Sequence, residues 1–177
     1  MSVNVLFLNK IERAIAGFIQ GIGWLASGLL IILVALISMN VFMRYALNDV
    51  SIGLQELEWH LFASLFLLGI SYAWVHDGHV RVDVLYDRFK PKTQLLVNLL
   101  GTWLFLIPLA LLIVWYGWDY TIYSFKLGEK SGDPGGLAYR WLIKAMIPLS
   151  SLLLVMAACL VSARHIRQLI QLKSTHQ

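Results

Sequence analysis

Residues 22–43, which read IGWLASGLLIILVALISMNVFM, decide the fold of this chain. The stretch contains no charged side chain. A helix that crosses the roughly 30 Å hydrocarbon core of a bilayer needs about 20 predominantly apolar residues. Strands of a membrane barrel would alternate polar and apolar positions, and this stretch does not. It therefore predicts a transmembrane helix.

Three further apolar stretches predict spans at 59–75, 95–118 and 141–163. Of the 177 residues, 59% are hydrophobic and 14% are charged, whereas soluble domains carry about 25% charged residues. We therefore expect a single all-α integral membrane domain over residues 1–177, with four transmembrane helices. Pro108 and Pro148 lie inside two of the spans and should kink them, because each lacks a backbone donor.

Residues 3–20 show a separate amphipathic pattern. Polar or small residues recur at helical spacing on one side, and apolar residues lie mostly opposite: Lys10, Arg13, Gly17 and Gln20 against Val5, Leu8, Ile11, Ile15, Phe18 and Ile19. This pattern predicts a helix lying on the membrane surface. The alternative is a helix that simply extends the first span.

Lysine and arginine are distributed unequally between the two sides of the predicted bundle. One side carries nine of them, Lys10, Arg13, Arg81, Arg88, Lys90, Lys92, Arg164, Arg167 and Lys173, and the other carries five, Arg44, Lys126, Lys130, Arg140 and Lys144. The positive-inside rule then predicts that both termini are cytoplasmic.

Residues that could carry chemistry are few. The single cysteine, Cys159, lies in an apolar run and is interpreted as a small core residue. Haem would need a facing pair such as His165 with His76 or His79, near the membrane surface. A metal could use His76, Asp77, His79 and Asp83, although such a cluster is more often solvated. We expect no catalytic site, no metal site, no substrate site and no cofactor, and no fold for nucleic acid.

No ionisable group lies in the middle of a predicted span, where such groups usually mark a transport pathway. A hydrophilic solute is therefore not expected to cross through this chain alone. Two loop segments instead have a patterned sequence: HDGHVRVDVLYDR at 76–88 and GEKSGDPGGLAYRWLIKAMIP at 128–148. Their interleaved charges and Asp-Pro-Gly-Gly turn suggest docking surfaces. The alternative is that they are solvated connections.

Several motifs together resemble the DctQ-like family, the small membrane subunits of tripartite ATP-independent periplasmic (TRAP) transporters. The resemblance covers about residues 20–165. It rests on RY at 44–45, LQELEWHLF at 54–62, FLLG at 66–69, HVRVDV at 79–84, Glu129, Ser131, DPGGLAYRWLIK at 133–144 and IP at 147–148. Ala138 departs from the family, in which proline follows Gly-Gly-Leu.

The resemblance implies a scaffold for a large permease subunit, which would carry the substrate and sodium sites. A periplasmic solute-binding protein would deliver the solute, commonly an organic acid, and the bacterial inner membrane would house the complex. The residues expected at the interface with the partner or with lipid are Arg44, Glu56, His79, Arg81, Asp83, Arg140 and Lys144. All of them except His79 are expected to form charge pairs with the partner, with lipid headgroups or with each other. Replacement of Arg81 or Glu56 by alanine should reduce assembly or transport.

Two other functions remain open from the residues alone. One is a membrane anchor of a redox complex, which would bind haem. The other is a self-contained homo-oligomeric transporter, which would move solute without a partner.

Overall fold

The computed structural model describes the backbone of residues 2–78 and 86–174, and the side chains of residues 9–78 and 86–172. These residues form four helices and no strand, which confirms the predicted all-α class: α1 (Ser2–Ala46), α2 (Ile52–Val75), α3 (Pro91–Lys126) and α4 (Trp141–Ser174). Three of the predicted interface residues, His79, Arg81 and Asp83, lie outside the described residues.

Helix α1 is continuous over 45 residues, so the predicted surface helix at 3–20 is not a separate element. The alternative, an extension of the first span, is what the structure shows. The physical reason is packing within the bundle. Ile19, on the apolar side of this segment, is fully buried against Ala157 and Leu160 of α4.

Three helices are long and apolar enough to cross a membrane: Asn9–Ala46, Pro91–Lys126 and Trp141–Leu172. The prediction of four such spans is therefore supported for three helices only. Helix α2 has 24 residues but places Glu56, Glu58 and His60 among its first nine, which shortens its apolar part.

Helix α2 lies between α1 and α4, and their contact forms the core. Leu68 of α2 is buried with Ala26 of α1 and Leu153 of α4. At Gly23 of α1 a β-carbon would lie 2.2 Å from the ring of Tyr72. Glycine at this position therefore allows α1 and α2 to approach closely.

Helix α3 packs mainly against α4 through one narrow face. The buried residues on that face are Thr102, Ile107, Ala110, Gly117, Thr121 and Ser124. A β-carbon at Gly117 would lie 3.2 Å from Pro148 Cδ. Residues 102–106 of α3 are π-helical. This irregularity ends just before Pro108, where the sequence predicted a disruption.

Candidate functional site: a charged network at one end of the bundle

Glu56 lies in the second turn of α2, ahead of the predicted span at 59–75. Ser51 begins this helix by accepting a hydrogen bond from the backbone N–H of Leu54 at 3.3 Å. This capping contact satisfies one of the free donors of the first turn. Glu56 is only 5% exposed, so its carboxylate needs partners within the protein.

The partners of Glu56 come from the loop at 127–140. Ser131 Oγ donates to Oε1 at 2.5 Å, and the backbone N–H of Leu137 donates to Oε2 at 2.6 Å. Arg140 Nη2 donates to Oε1 at 3.1 Å, which also makes an ion pair. The hydrogen bond from Ser131, then those from Leu137 and Arg140, lower the pKa of Glu56. The carboxylate is therefore held in its charged form.

The backbone of the loop is shaped to reach Glu56. The N–H of Ser131 donates to the carbonyl of Leu137 at 3.0 Å, and that of Gly136 to Asp133 at 3.0 Å. Gly135 has a φ of 83°, a value that glycine adopts without strain. A β-carbon at Gly136 would lie 2.4 Å from Ser131 Oγ and 2.9 Å from Glu56 Oε2. The Gly-Gly pair thus leaves room for the carboxylate.

Arg140 joins the loop to the start of α4. Its backbone N–H donates to the carbonyl of Glu129 at 3.2 Å. Its guanidinium carbon lies 5.9 Å from the ring centroid of Trp59, within reach of a cation–π interaction. The side chain therefore contacts both the acidic and the aromatic residues of α2.

A second pair extends this network. Lys144 of α4 donates a hydrogen bond to Glu129 Oε2 and forms an ion pair with it. The Lys144 ammonium also lies 4.0 Å from the ring centroid of Tyr120 on α3. The hydrogen bond from Lys144 holds the pKa of Glu129 below its ordinary value. We call Glu56, Glu129, Ser131, Arg140 and Lys144 the loop anchor.

The loop anchor links α2, α4 and the loop between α3 and α4 through two acids and two bases, and Lys144 also contacts Tyr120 of α3. Arg140 pairs with Glu56 and Lys144 pairs with Glu129, so each cation of the anchor has an acidic partner within this chain. Its geometry is that of a structural clamp, with carboxylates accepting charge-assisted hydrogen bonds.

Another ion-pair cluster lies at the opposite end of the bundle. Glu12 of α1 accepts from Arg164 Nε at 3.1 Å and pairs with Arg167 Nη1 at 2.6 Å. Arg167 Nη1 also donates to Asn9 Oδ1 at 2.9 Å. These contacts hold the first part of α1 against the last part of α4.

The structure brings together three of the residues predicted at the interface. Glu56, Arg140 and Lys144 all belong to the loop anchor, where they contact other residues of this chain. Arg44, in the last turn of α1, is exposed and does not join them. His79, Arg81 and Asp83 remain predictions.

Several polar contacts lie beyond the predicted set. Glu129 and Ser131 had been noted only as part of the family resemblance. Glu12 is the sole acidic residue before Asp49, and that isolation among basic and apolar residues was the available signal. Buried Asn40 donates to Glu58 at 2.7 Å, a contact that no sequence pattern indicated.

Two of the histidines form hydrogen bonds with backbone carbonyls of α2. His60 Nδ1 lies 2.6 Å from the carbonyl of Glu56, and His76 Nδ1 lies 3.0 Å from that of Tyr72. A neutral carbonyl can only accept, so Nδ1 is the donor in both. Within the part of the chain that the structure describes, no three His, Cys, Asp or Glu residues form a metal-binding group.

Two comparisons with known proteins bear on this arrangement. Residues 33–170 match the family model described as tripartite ATP-independent periplasmic transporters, DctQ component. A Haemophilus influenzae protein named as a TRAP transporter small permease is 29% identical over 145 residues, which cover 80% of this chain and 89% of that protein.

Proposed function

This chain belongs to the DctQ component family of TRAP transporters, and we propose that its role there is to brace a large permease subunit. The resemblance to this family is confirmed, and a membrane subunit of a transporter follows from it. In the proposal, the large subunit carries the solute and sodium sites. A periplasmic binding protein delivers the solute, and an organic acid is the expected class.

The observation that carries the bracing role is the way Glu56 is held. One buried carboxylate accepts from a loop hydroxyl, a loop N–H and the guanidinium of Arg140. Removal of either the carboxylate or one of its donors would leave the remaining buried polar groups without partners, which destabilises the fold. These contacts fix the loop at 127–140, and with it the start of α4, to α2, as a support for a moving partner requires.

The positions of the two termini support α2 as a fourth span. The contact of Glu12 with Arg164 places the start of α1 and the end of α4 at the same end of the bundle. A chain whose two ends lie on one side must cross the membrane an even number of times. Three helices qualify as spans, so we propose that α2, which lies between α1 and α4, is the fourth.

We further propose that both termini are cytoplasmic and that the membrane is the bacterial inner membrane. The end that holds Glu12 and Arg164 also carries most of the lysine and arginine of the chain. Such residues accumulate on the cytoplasmic side, where they also attract anionic lipid headgroups.

Reconstitution tests this function. Proteoliposomes would contain this chain and the large subunit, with the binding protein and a panel of labelled organic acids added outside. We expect uptake only with an inward sodium gradient and with all three proteins. Equal uptake from vesicles that lack this chain would contradict the bracing role. Uptake by this chain alone would instead support a self-contained transporter.

A further inference from the structure

Helix α3 uses opposite faces differently. The face towards α4 carries small buried residues, including Ala110, Gly117 and Ser124. The opposite face carries residues spaced alternately by four and three positions, which we call the outer seam of α3: Pro108, Leu112, Trp115, Asp119, Ile122 and Lys126. This spacing keeps them on one side of a helix. Trp115 is 71% exposed.

Asp119 is the acidic residue of the outer seam. It is exposed, and within the described side chains it makes no ion pair or hydrogen bond. Two basic residues of the loop anchor are already paired, since Lys144 binds Glu129 and Arg140 binds Glu56. Lys126 of the seam lies seven positions away, roughly 10 Å along the helix axis, and makes no ion pair with Asp119. The chain therefore presents a carboxylate outward without a described counter-charge.

The depth of Asp119 makes its exposure costly. It precedes Lys126, the last residue of α3, by seven positions, which corresponds to roughly 10 Å along the helix axis. Its neighbour Tyr120 contacts the ammonium of Lys144, one turn inside α4. A carboxylate that faces the hydrocarbon region of the membrane is unfavourable unless it pairs with a cation.

The surroundings of Asp119 are suited to a protein partner. Trp115, Tyr116 and Tyr123 flank it and are all more than half exposed. Large amphipathic rings around a charged group are typical of the energetic centre of an interface. The middle of the outward face of α1 differs, because Ser38 donates to the Val34 carbonyl of its own helix and the exposed large residues near it, Ile31, Val34 and Ile37, are apolar. Lipid can cover that face without cost.

We propose that the outer seam of α3 is the docking face for a transmembrane helix of the large permease subunit, one that places a lysine or arginine against Asp119. The proposal rests on the function proposed above. The occupant is a helix because only a helix presents satisfied backbone groups at this depth. Its cation is specified by the charge of Asp119.

Photocrosslinking in the intact complex tests the location. A p-benzoylphenylalanine residue would replace Trp115 in one variant and Ile31 of α1 in a matched control. We expect Trp115→p-benzoylphenylalanine to crosslink to the large subunit and the control to crosslink only to lipid. Lipid adducts alone at position 115 would overturn the proposal. Failure of the wild-type pair to form any complex would instead count against the proposed function.

Charge reversal tests the counter-charge. Asp119→Lys should lower recovery of the large subunit on the tagged chain by about tenfold or more, because like charges would meet. Asp49→Lys makes the same change in the exposed connection between α1 and α2 and should leave recovery unchanged. Equal recovery from the two variants would overturn the proposal. Thermal unfolding of each isolated variant shows whether a loss of recovery reflects misfolding. If the variant is misfolded, the crosslink at position 115 tests the proposal instead.

Discussion

Arg140 at the start of α4 pairs with Glu56 of α2 across 84 positions of sequence, with Nη2 3.1 Å from Oε1. The same carboxylate accepts from Ser131 and Leu137. One side chain thus fixes the loop at 127–140 over the end of the bundle.

Loss of the Glu56 carboxylate should release this loop. In Glu56→Ala the donors of Ser131, Leu137 and Arg140 lose their shared acceptor and must find water. We expect trypsin to cleave after Lys130, an exposed loop residue, several-fold faster than in the wild type. Asp133→Asn changes an acidic residue of the same loop and should cleave at the wild-type rate. Equal rates for Glu56→Ala and the wild type would show that the loop is held by other contacts.

The two glycines of the loop should respond differently to a methyl group. Gly136→Ala would place its β-carbon 2.4 Å from Ser131 Oγ, so Ser131 or Glu56 must move. Gly132→Ala has nothing within 4 Å of its β-carbon. We expect Gly136→Ala alone to lower the melting temperature in detergent and to accelerate cleavage at Lys130. If Gly132→Ala proved as damaging, the steric account would be wrong.

Close packing of α1 on α2 should depend on Gly23. A β-carbon there would lie 2.2 Å from the Tyr72 ring, and overpacking of this kind costs about 1–3 kcal/mol. Gly21→Ala is the matched control, because nothing lies within 4 Å of its β-carbon. Thermal unfolding of the two variants measures the difference. A Gly23→Ala variant as stable as Gly21→Ala would mean that the helices separate without penalty.

The loop anchor should weaken in acid. Folding lowers the pKa of Glu56 and Glu129 from the ordinary value of 4.5. Their contribution to the free energy of unfolding is therefore complete above about pH 4.5 and is lost as the pH falls through the folded pKa. We expect the wild type to lose thermal stability below pH 4.5. The double variant Glu56→Gln, Glu129→Gln should lose less over the same range. Identical pH profiles would exclude these two groups as the cause.

The helices could be predicted from hydropathy, but several of their ends could not. The fourth span was predicted to begin at Trp141, where α4 begins. The first was predicted over 22–43, whereas α1 spans Ser2–Ala46. Apolar composition shows where lipid contacts a helix. It does not show where the helix continues beyond the lipid, which depends on packing such as that of Ile19.

The sequence indicated several residues of the candidate site but not which residues they contact. Glu56, Arg140 and Lys144 were expected to pair with a partner, with lipid or with each other. The structure shows pairing within the chain, with Glu129 as the acid opposite Lys144. A contact across 84 positions depends on how the helices assemble, and hydropathy carries no information about that assembly. The contact of Glu12 with Arg164 joins residues 152 positions apart, and the sequence did not reveal it either.

Co-purification in mild detergent tests the central claim most directly. The tagged chain would be expressed with the large permease subunit of its own host, and the eluate separated by size. The account predicts one complex that contains both subunits in a fixed ratio. A tagged chain that elutes without the large subunit, while remaining folded by thermal unfolding, would contradict the account.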